Sequence, residues 1–552
     1  MSNHTKTKPR QKIGFLDWPV TAVSRCNRSA AIASIMVGAV ALSMRLLLIP
    51  FFPLPRPAVG DEFSYLLAAD TFAHGRLTNP MHPLWIHFET FHELMHPTYS
   101  SRYPPGQGLA LAIGMLLQAP WLAVWLSTAV LCGLITWALW DWLEPHWAIA
   151  GGLLAALQLT GSYWTESYWG GSVAAIGGAL VIGALSRLLR RTSEGRAMLF
   201  GLGLAILANT RPFEGLVLGA SAFAVLVVHL IRLVRQKGET GSHLVRSIGL
   251  PLASVLLPVS IWMGYYNYRV TGKPLLMPST LYSQQYESWP PFLWSRSRPE
   301  PHFNHEIFRT FSEKYGTPRN QFLRRHYLVG HLGNLIELYR FFLGPVLLLA
   351  ILISLSRLVR DRRLRIPLLL LAMFYLAISV EVNTFAHYVA PATVLVFLVA
   401  TAAIQSISSR FPPGKLRIAA ICATAICIAA FDGRRLMNPV ARYCYGRDLR
   451  EFLAQREQVL TFLSRQPGPQ LVLVRYGPHH AVENEWVYNG ANIDQARIVW
   501  ARAMPDGKDD ELLRYYPDRR VWILDDDAEY VENGKRPEGK ITLTPLRADE
   551  PR

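Results

Sequence analysis

The sequence is poor in charge and in cysteine. Only 17% of its 552 residues are charged and 51% are hydrophobic, whereas ordinary soluble domains contain about 25% charged residues. This deficit excludes a soluble globular protein of average composition. The five cysteines show neither metal-ligand nor disulfide-framework spacing. The sequence also lacks an internal repeat, a heptad run and a glycine-rich nucleotide-binding loop.

Apolar residues are abundant and are arranged in long blocks. A helix needs about 20 apolar residues to cross a bilayer, and six blocks approach that length: 29–53, 121–140, 212–231, 247–264, 337–357 and 387–405. Further apolar stretches raise the predicted number of crossings to about eleven. The short stretch 106–118 is interpreted as a surface or re-entrant helix. The predicted fold class is therefore an all-α polytopic membrane protein.

The net charge of +17 reflects the positions of the basic residues in membrane loops and does not indicate nucleic-acid binding. The basic residues concentrate in short connectors between apolar blocks, which is the pattern of cytoplasmic loops in membrane proteins. These connectors are 187–196, 232–246, 357–365 and 410–417. The pattern predicts a multi-pass protein of the plasma (inner) membrane, with membrane lipids as its surroundings.

Counting crossings from these connectors predicts the domain organisation. Residues 1–28 are expected to be cytoplasmic, and 29–432 to form the transmembrane domain with outer loops 54–105 and 268–336. Residues 433–552 are expected to be an extracytoplasmic α/β domain, because short β-like runs alternate there with helix-like stretches. The runs are Leu471–Val474, Ile498–Trp500, Val521–Leu524 and Ile541–Thr544.

Two neighbouring acidic residues, Asp61 and Glu62, follow the first apolar block. Adjacent carboxylates repel each other and are costly to keep near a membrane. Their placement indicates catalysis at a membrane surface, with Asp61 as the base and Glu62 as a second carboxylate that orients the base or the acceptor. A helix N-cap is the structural alternative.

Two arginines on the same predicted side are candidates for holding a phosphate. Arg102 precedes Tyr103-Pro104-Pro105, and Arg211 precedes Pro212. The planar guanidinium can bond two phosphate oxygens at once. Anchoring to lipid head groups is the alternative role for each arginine.

Polar and aromatic residues from several connections are predicted to reach the same outer face, where they would bind a sugar or an acceptor. An aromatic belt at the membrane interface is the alternative explanation for the tryptophans. The candidates are Tyr65, Tyr163, Trp164, Glu166, Tyr168, Trp169, Glu214, His387 and Tyr388.

The segment from His92 to His96 matches H-E-x-x-H, which on a helix presents two zinc ligands and a general base. Pro97 directly follows and should end such a helix. No further Glu or His follows until Glu144. A zinc metalloprotease using His92, Glu93 and His96 is therefore a secondary hypothesis.

The stretch Gly60-Asp61-Glu62-Phe63-Ser64-Tyr65-Leu66, followed by Gly75-Arg76-Leu77 and Tyr103-Pro104-Pro105-Gly106, resembles the first outer loop of one enzyme class. The class comprises the polyprenyl-phosphate-sugar-dependent glycosyltransferases of the GT-C fold, which include protein mannosyltransferases and bacterial aminoarabinose transferases. The resemblance covers about 1–430. Some members have a lysine immediately before the Pro-Pro pair that holds the phosphate. Here that position is Tyr103, which the resemblance adds to Arg102 and Arg211 as a candidate for binding the donor phosphate.

The resemblance implies an inverting glycosyl transfer on the extracytoplasmic face, with Asp61 matching the catalytic carboxylate. The donor would be a polyprenyl-phosphate-linked sugar, and the acceptor a glycan, lipid or protein. No cofactor is required by the sequence, although a divalent metal is compatible with it. A transporter or flippase of lipid-linked sugars is the main alternative of another class.

Overall fold

The computed structural model describes 29–437 except 383 and 413, 447–527 except 479, 483 and 506, and 541–546. The predicted cytoplasmic segment 1–28 therefore lies outside the described residues. Within them, helices dominate up to residue 437, and a mixed α/β unit follows. The prediction of a mainly helical protein with a C-terminal α/β part is confirmed for the described residues.

The helices of the first part alternate with short connections. Proline at the first helical position begins many of them, since its fixed φ suits a helix start and the position needs no N–H partner. The helices are α1 Ala30–Leu47, α2 Gly60–Ala73, α3 Pro105–Leu116, α4 Pro120–Leu139, α5 Pro145–Thr160, α6 Tyr163–Glu166, α7 Ser172–Arg190, α8 Glu194–Ala208, α9 Pro212–Lys237, α10 Gly241–Leu244, α11 Leu250–Thr271, α12 Pro278–Tyr286, α13 Glu306–Phe311, α14 Thr317–Arg325, α15 Tyr327–Phe342, α16 Gly344–Arg360, α17 Arg365–Ile378, α18 Thr393–Ser408 and α19 Lys415–Met437.

Three further types of segment complete this part. Two 3-10 helices, Trp85–Phe88 and Ala390–Ala392, lie between α2 and the ribbon described below and directly before α18. Single π-helical segments, Val245–Gly249 and Ser312–Gly316, lead into α11 and α14. A two-stranded antiparallel ribbon, β1 Glu93–Leu94 and β2 Ser100–Ser101, lies between α2 and α3. The predicted outer loop 54–105 thus contains α2, a short 3-10 helix and the ribbon.

Among the described residues, six helices are long and apolar enough to cross a membrane. A seventh span results if α15 and α16, which meet at 106°, count as one. The predicted eleven crossings are not confirmed, because α5, α8 and α17 have only 16, 15 and 14 residues. A 15-residue helix is about 22 Å long and falls short of a 30 Å hydrocarbon core.

The centre of the bundle is built by α1, α4, α5, α7 and α8, which pack against one another. Small residues bring α1 and α4 together: a Cβ at Gly133 would lie 2.6 Å from the Ser34 carbonyl oxygen. Close backbone contact of this kind is how membrane helices gain packing energy without a hydrophobic driving force.

The second part contains α20 Arg447–Arg465, α21 Asp509–Tyr515 and four strands. The strands are β3 Gln470–Tyr476, β4 Ile498–Arg502, β5 Arg520–Asp526 and β6 Ile541–Pro545. They form one sheet in the order β4-β3-β5-β6, with β3, β4 and β5 parallel and β6 antiparallel. All four predicted β-like runs lie within these strands, so an α/β unit follows the helical bundle as predicted.

A buried ion pair joins the first helix of the bundle to the aromatic turn. Arg45 Nη2 lies 2.8 Å from Glu166 Oε1, and both side chains are at most 3% exposed. Arg45 also donates to the carbonyl oxygens of Phe52 and Pro53 and lies over the Trp125 ring. The pair therefore fixes the chain that enters the α1–α2 connection.

We expect Arg45→Met to lower the free energy of unfolding by about 3–5 kcal/mol, because it leaves the buried Glu166 carboxylate without its cation. Thermal unfolding of the purified protein measures the loss. Arg340→Met removes a surface pair with Glu337, whose side chains are 67% and 66% exposed, and should cost less than about 1 kcal/mol. Equal losses in the two variants would contradict a structural role for Arg45.

Candidate functional site

Asp61 lies in the first turn of α2, where the exposed N–H groups of a helix favour a negative charge. Its side chain is 24% exposed. The Tyr103 hydroxyl donates to Asp61 Oδ1, and His92 Nε2 lies 3.7 Å from Oδ2. The carboxylate is thus positioned by two side chains and remains accessible from one side.

Glu62 points the opposite way and is buried. Its Oε2 accepts from the backbone N–H of Ala58 at 2.7 Å and of Val59 at 3.3 Å, and its Oε1 accepts from Tyr168 N–H at 2.9 Å. Burial raises the pKa of Glu62 to about 7, while the three N–H donors oppose the rise and the Asp61 charge adds to it. Glu62 therefore fixes the start of α2 behind Asp61, and this position gives it no contact with an acceptor.

Arg102 is already paired in the structure. Its Nη1 lies 2.6 Å from Glu287 Oε1, and its guanidinium lies 4.1 Å from the centre of the Tyr282 ring. Burial alone would raise the pKa of Glu287, but the charge and hydrogen bonds of Arg102 outweigh it and hold that pKa below its usual value. Glu287 thus balances the charge of Arg102, whose buried Nε–H has no hydrogen-bond partner among the described residues.

Arg211 is held less tightly. Its Nη1 lies 3.7 Å from Glu214 Oε1, beyond hydrogen-bonding distance, and its guanidinium lies 4.4 Å above the Tyr388 ring. Of the two predicted arginines, Arg211 therefore has the weaker ion pair and is the easier one for a phosphate to bind.

Three tyrosines connect Asp61 with Arg211. Tyr65 stacks on Tyr103 with ring centres 4.4 Å apart. The charges of both Asp61 and Arg211 act on Tyr65 and on Tyr388, so all of these groups belong to one cluster. Burial is the largest cause that raises the pKa of Tyr65 and of Tyr388, the latter to about 12, and it keeps both hydroxyls protonated.

The aromatic turn after α5 is buried. Trp164 is 0% exposed and packs on Phe341 and Phe342. Because it is enclosed by helices, it offers no ring face to a sugar, which corrects the prediction for this residue. Glu166 is likewise bound to Arg45.

The other residues of this turn are buried as well. The Tyr163 hydroxyl lies 2.9 Å from His387 Nδ1, and the Trp169 ring centre lies 4.5 Å from that of His387. The Tyr168 hydroxyl donates to the Pro55 carbonyl oxygen. Tyr163, Tyr168, Trp169 and His387 therefore pack within the protein and connect the aromatic turn to the segments that contain Pro55 and His387. This packing role was not predicted.

The H-E-x-x-H segment does not form a helix. Glu93 belongs to β1, with His92 just before it, so the two histidines do not share a helical face. Glu93 is buried and accepts from the Tyr99 hydroxyl. Within the residues that the structure describes, no group of three His, Cys, Asp or Glu side chains could hold a metal. The secondary hypothesis of a zinc site on a helix therefore finds no support in the described part of the chain.

The structure brings two residues to Arg102 that sequence reasoning missed, Glu287 and Tyr282. Glu287 and Tyr282 are far from Arg102 in sequence, so no local pattern could have paired them.

Glu381 carries a buried oxygen, Oε2, without a hydrogen-bond partner. Burial raises the pKa of Glu381 to about 9, the Glu214 charge adds to the rise, and Arg211 opposes it. Glu381 is therefore protonated at neutral pH and can donate a hydrogen bond beside Arg211.

An apolar crevice opens next to this cluster. Its lining joins the Pro104-Pro105 step at the start of α3 to the start of α9 and to the outer half of α11. The lining includes Pro104, Pro105, Pro212, Met263, Tyr266 and Met277. Arg211 directly precedes Pro212 of this lining in the sequence.

Replacing Glu381 with Gln should remove a pH dependence of stability. The folded-state pKa is raised from 4.5 to about 9, so the stabilisation is complete below pH 4.5 and is lost as the pH rises towards 9. Glu381→Gln should therefore unfold at a temperature that rises relative to the wild type between pH 5 and pH 9. The exposed Glu337→Gln should show no such trend. A constant difference for Glu381→Gln across this range would refute the assignment.

The sequence matches no protein-family model and no curated protein. Among solved structures, the chain is similar to ArnT from Cupriavidus metallidurans bound to undecaprenyl phosphate, with 13% identity, a TM-score of 0.48, and 98% of this chain and 100% of that chain covered. It is also similar to the oligosaccharyltransferase of Archaeoglobus fulgidus, with 11% identity, a TM-score of 0.43, and 89% and 68% covered. These neighbours are GT-C-fold glycosyltransferases. At such identities and TM-scores the likeness assigns no role to any residue.

Proposed function

We propose that the protein is a membrane glycosyltransferase that moves a sugar from a polyprenyl-phosphate donor to an acceptor hydroxyl. The observation that carries the proposal is the cluster itself. It contains a partly exposed carboxylate, Asp61, and a weakly paired guanidinium, Arg211, whose charges act on the same tyrosines. Glycosyl transfer from a lipid phosphate needs this pair, because one group accepts a proton and the other holds the leaving phosphate.

The apolar crevice supports a lipid-linked donor. A polyprenyl chain in the crevice would place its phosphate near Arg211, which is adjacent in sequence to Pro212 of the lining. Glu381, protonated at neutral pH, would donate a second hydrogen bond to the phosphate. Both groups act where charge develops on the leaving oxygen, which is where such donors contribute most.

Asp61 would take the proton from the acceptor hydroxyl as its oxygen attacks the anomeric carbon. The bond from that carbon to the phosphate oxygen breaks at the same time, and the polyprenyl phosphate leaves with the electron pair. The hydrogen bond from Tyr103 fixes the direction of the carboxylate. Glu62 holds α2 from behind and acts as a positioning residue.

The Arg102–Glu287 ion pair lies beside this reaction path. Glu287 follows α12, which belongs to the predicted outer loop 268–336. Movement of α12 would free Arg102 to contact the donor phosphate, and its return would again cover the site. Orientation towards the extracytoplasmic side and a location in the plasma (inner) membrane are parts of the proposal, as is an acceptor that is a glycan, a lipid or a protein.

We expect Asp61→Asn to lower kcat by about 10²–10⁴-fold, because the isosteric amide cannot accept the proton. Membranes containing either protein would be supplied with radiolabelled polyprenyl-phosphate sugars, and label would be followed into lipid, glycan and protein fractions. Undiminished transfer by a folded Asp61→Asn would remove Asp61 as the base. The absence of transfer from every donor by the wild type would favour transport over chemistry.

We expect Arg211→Gln to reduce kcat/KM by about 10²–10³-fold, because the leaving phosphate loses a charged donor. Arg269→Gln is the matched control. Arg269 lies at the end of α11, contacts Tyr265 and is exposed, so its replacement should change kcat/KM less than twofold. Equal losses would show that general surface charge, and not Arg211, determines activity.

A further inference from the structure

Helix α2 has two faces with different environments. Residues 61 and 65 lie on one face at a spacing of one turn, whereas 60, 63, 67 and 70 lie on the other. Asp61 and Tyr65 contact the tyrosine cluster. The opposite face meets the C-terminal α/β unit.

Phe63 makes the central contact of that second face. Its ring stacks on Tyr488 with ring centres 4.1 Å apart and planes 5° from parallel. The Arg456 guanidinium lies 4.7 Å from the centre of the Phe63 ring. Aromatic pairs contribute about 0.5–1.5 kcal/mol beyond their buried area, and a nearby guanidinium adds cation–π attraction.

Two contacts flank the stack along the helix. At the start of α2, a Cβ on Gly60 would lie 2.6 Å from the Tyr488 hydroxyl, so glycine alone permits this approach. Two turns past Phe63, Asp70 Oδ2 accepts from Ala491 N–H at 2.7 Å. Leu67, between them, packs in one apolar cluster with Ala491 and Ile493.

The segment that carries Tyr488 is rigid within its own unit. Arg456 is 6% exposed and donates to the carbonyl oxygens of Glu485 and Trp486. Asn489 exchanges two hydrogen bonds with the Trp500 backbone in β4, at 2.8 Å and 3.0 Å. The position of Tyr488 is therefore set by the sheet of the C-terminal unit.

We infer that the C-terminal unit positions the catalytic helix, with Tyr488 and Asp70 as the positioning residues that fix where Asp61 stands. The inference rests on the proposed function and deepens it. Phe63 and Asp70 project about 180–200° from Asp61 around the helix, so a push or release on that face moves Asp61 towards or away from the substrate. A displacement of about 1 Å can cost about 10²-fold in rate.

The first test is Tyr488→Leu, which removes the stacked ring and keeps an apolar side chain. Transfer rates would be measured for purified protein with the donor and acceptor that the wild type uses. We expect kcat to fall by about 10–100-fold with KM for the donor within about twofold, because geometry is lost and donor binding is not. Tyr488→Phe keeps the ring and should retain nearly full kcat.

Phe462→Leu is the matched control. Phe462 contacts Trp522 within the C-terminal unit with ring centres 5.3 Å apart and lies in α20, away from the stack. Because Phe462 is 44% exposed, this change should leave kcat unchanged and lower the unfolding temperature only modestly. The inference is overturned if Tyr488→Leu keeps wild-type kcat, or if Phe462→Leu lowers kcat equally.

A second readout does not depend on activity. Asp61→Cys would be placed in a background in which the five native cysteines are replaced, and its modification by a maleimide would be timed with and without the additional Tyr488→Leu change. We expect modification at least about threefold faster after that change, because the helix start is released. An unchanged rate overturns the positioning role. A third outcome separates the two claims. If Tyr488→Leu speeds maleimide modification of Asp61→Cys but the wild-type protein transfers no sugar, the positioning role holds and the proposed function has failed.

Discussion

The Glu62 carboxylate satisfies three backbone N–H groups that would otherwise be buried without partners. Ala58, Val59 and Tyr168 supply them, and the last belongs to a connection more than 100 residues away. A buried N–H without an acceptor costs free energy comparable to a lost hydrogen bond. One carboxylate therefore joins the α1–α2 connection, the start of α2 and the aromatic turn. The position of Asp61 at the start of α2 depends on this junction.

Asp61 depends on this junction for its direction. Adjacent residues on a helix project about 100° apart, so the burial of Glu62 leaves Asp61 turned towards Tyr103. The two members of the acidic pair thus differ in their surroundings: Glu62 is buried against backbone N–H groups, and Asp61 is partly exposed. The three N–H donors stabilise the charged form of Glu62, whereas burial and the neighbouring Asp61 charge raise its pKa.

Helix α2 transmits constraints from both sides of the molecule. The bundle fixes its first turn through Glu62, and the C-terminal unit contacts Phe63, Leu67 and Asp70 on the opposite face. The same unit reaches the outer loop through buried Arg502, which donates to the Glu89 carbonyl oxygen and pairs with Glu485. The α/β unit and the helical bundle therefore meet at α2, the helix that carries Asp61.

The sequence alone determined the apolar helices, the α/β character of the last part and the candidate groups Asp61 and Arg211, because hydrophobic blocks, strand alternation and residue chemistry are local properties. It predicted about eleven crossings, which the described helices do not confirm, because α5, α8 and α17 are short for a bilayer. The secondary zinc hypothesis needed His92 and His96 on one helix, and a turn and a short strand occupy that segment instead. Only the tertiary structure decided that Glu62 accepts three backbone N–H groups and that Trp164 is buried in the core. It also decided that Glu287 pairs with Arg102 and that Tyr488 stacks on Phe63. Those outcomes depend on partners tens to hundreds of residues away, and burial and charge pairing at that distance leave no periodic signal in the chain.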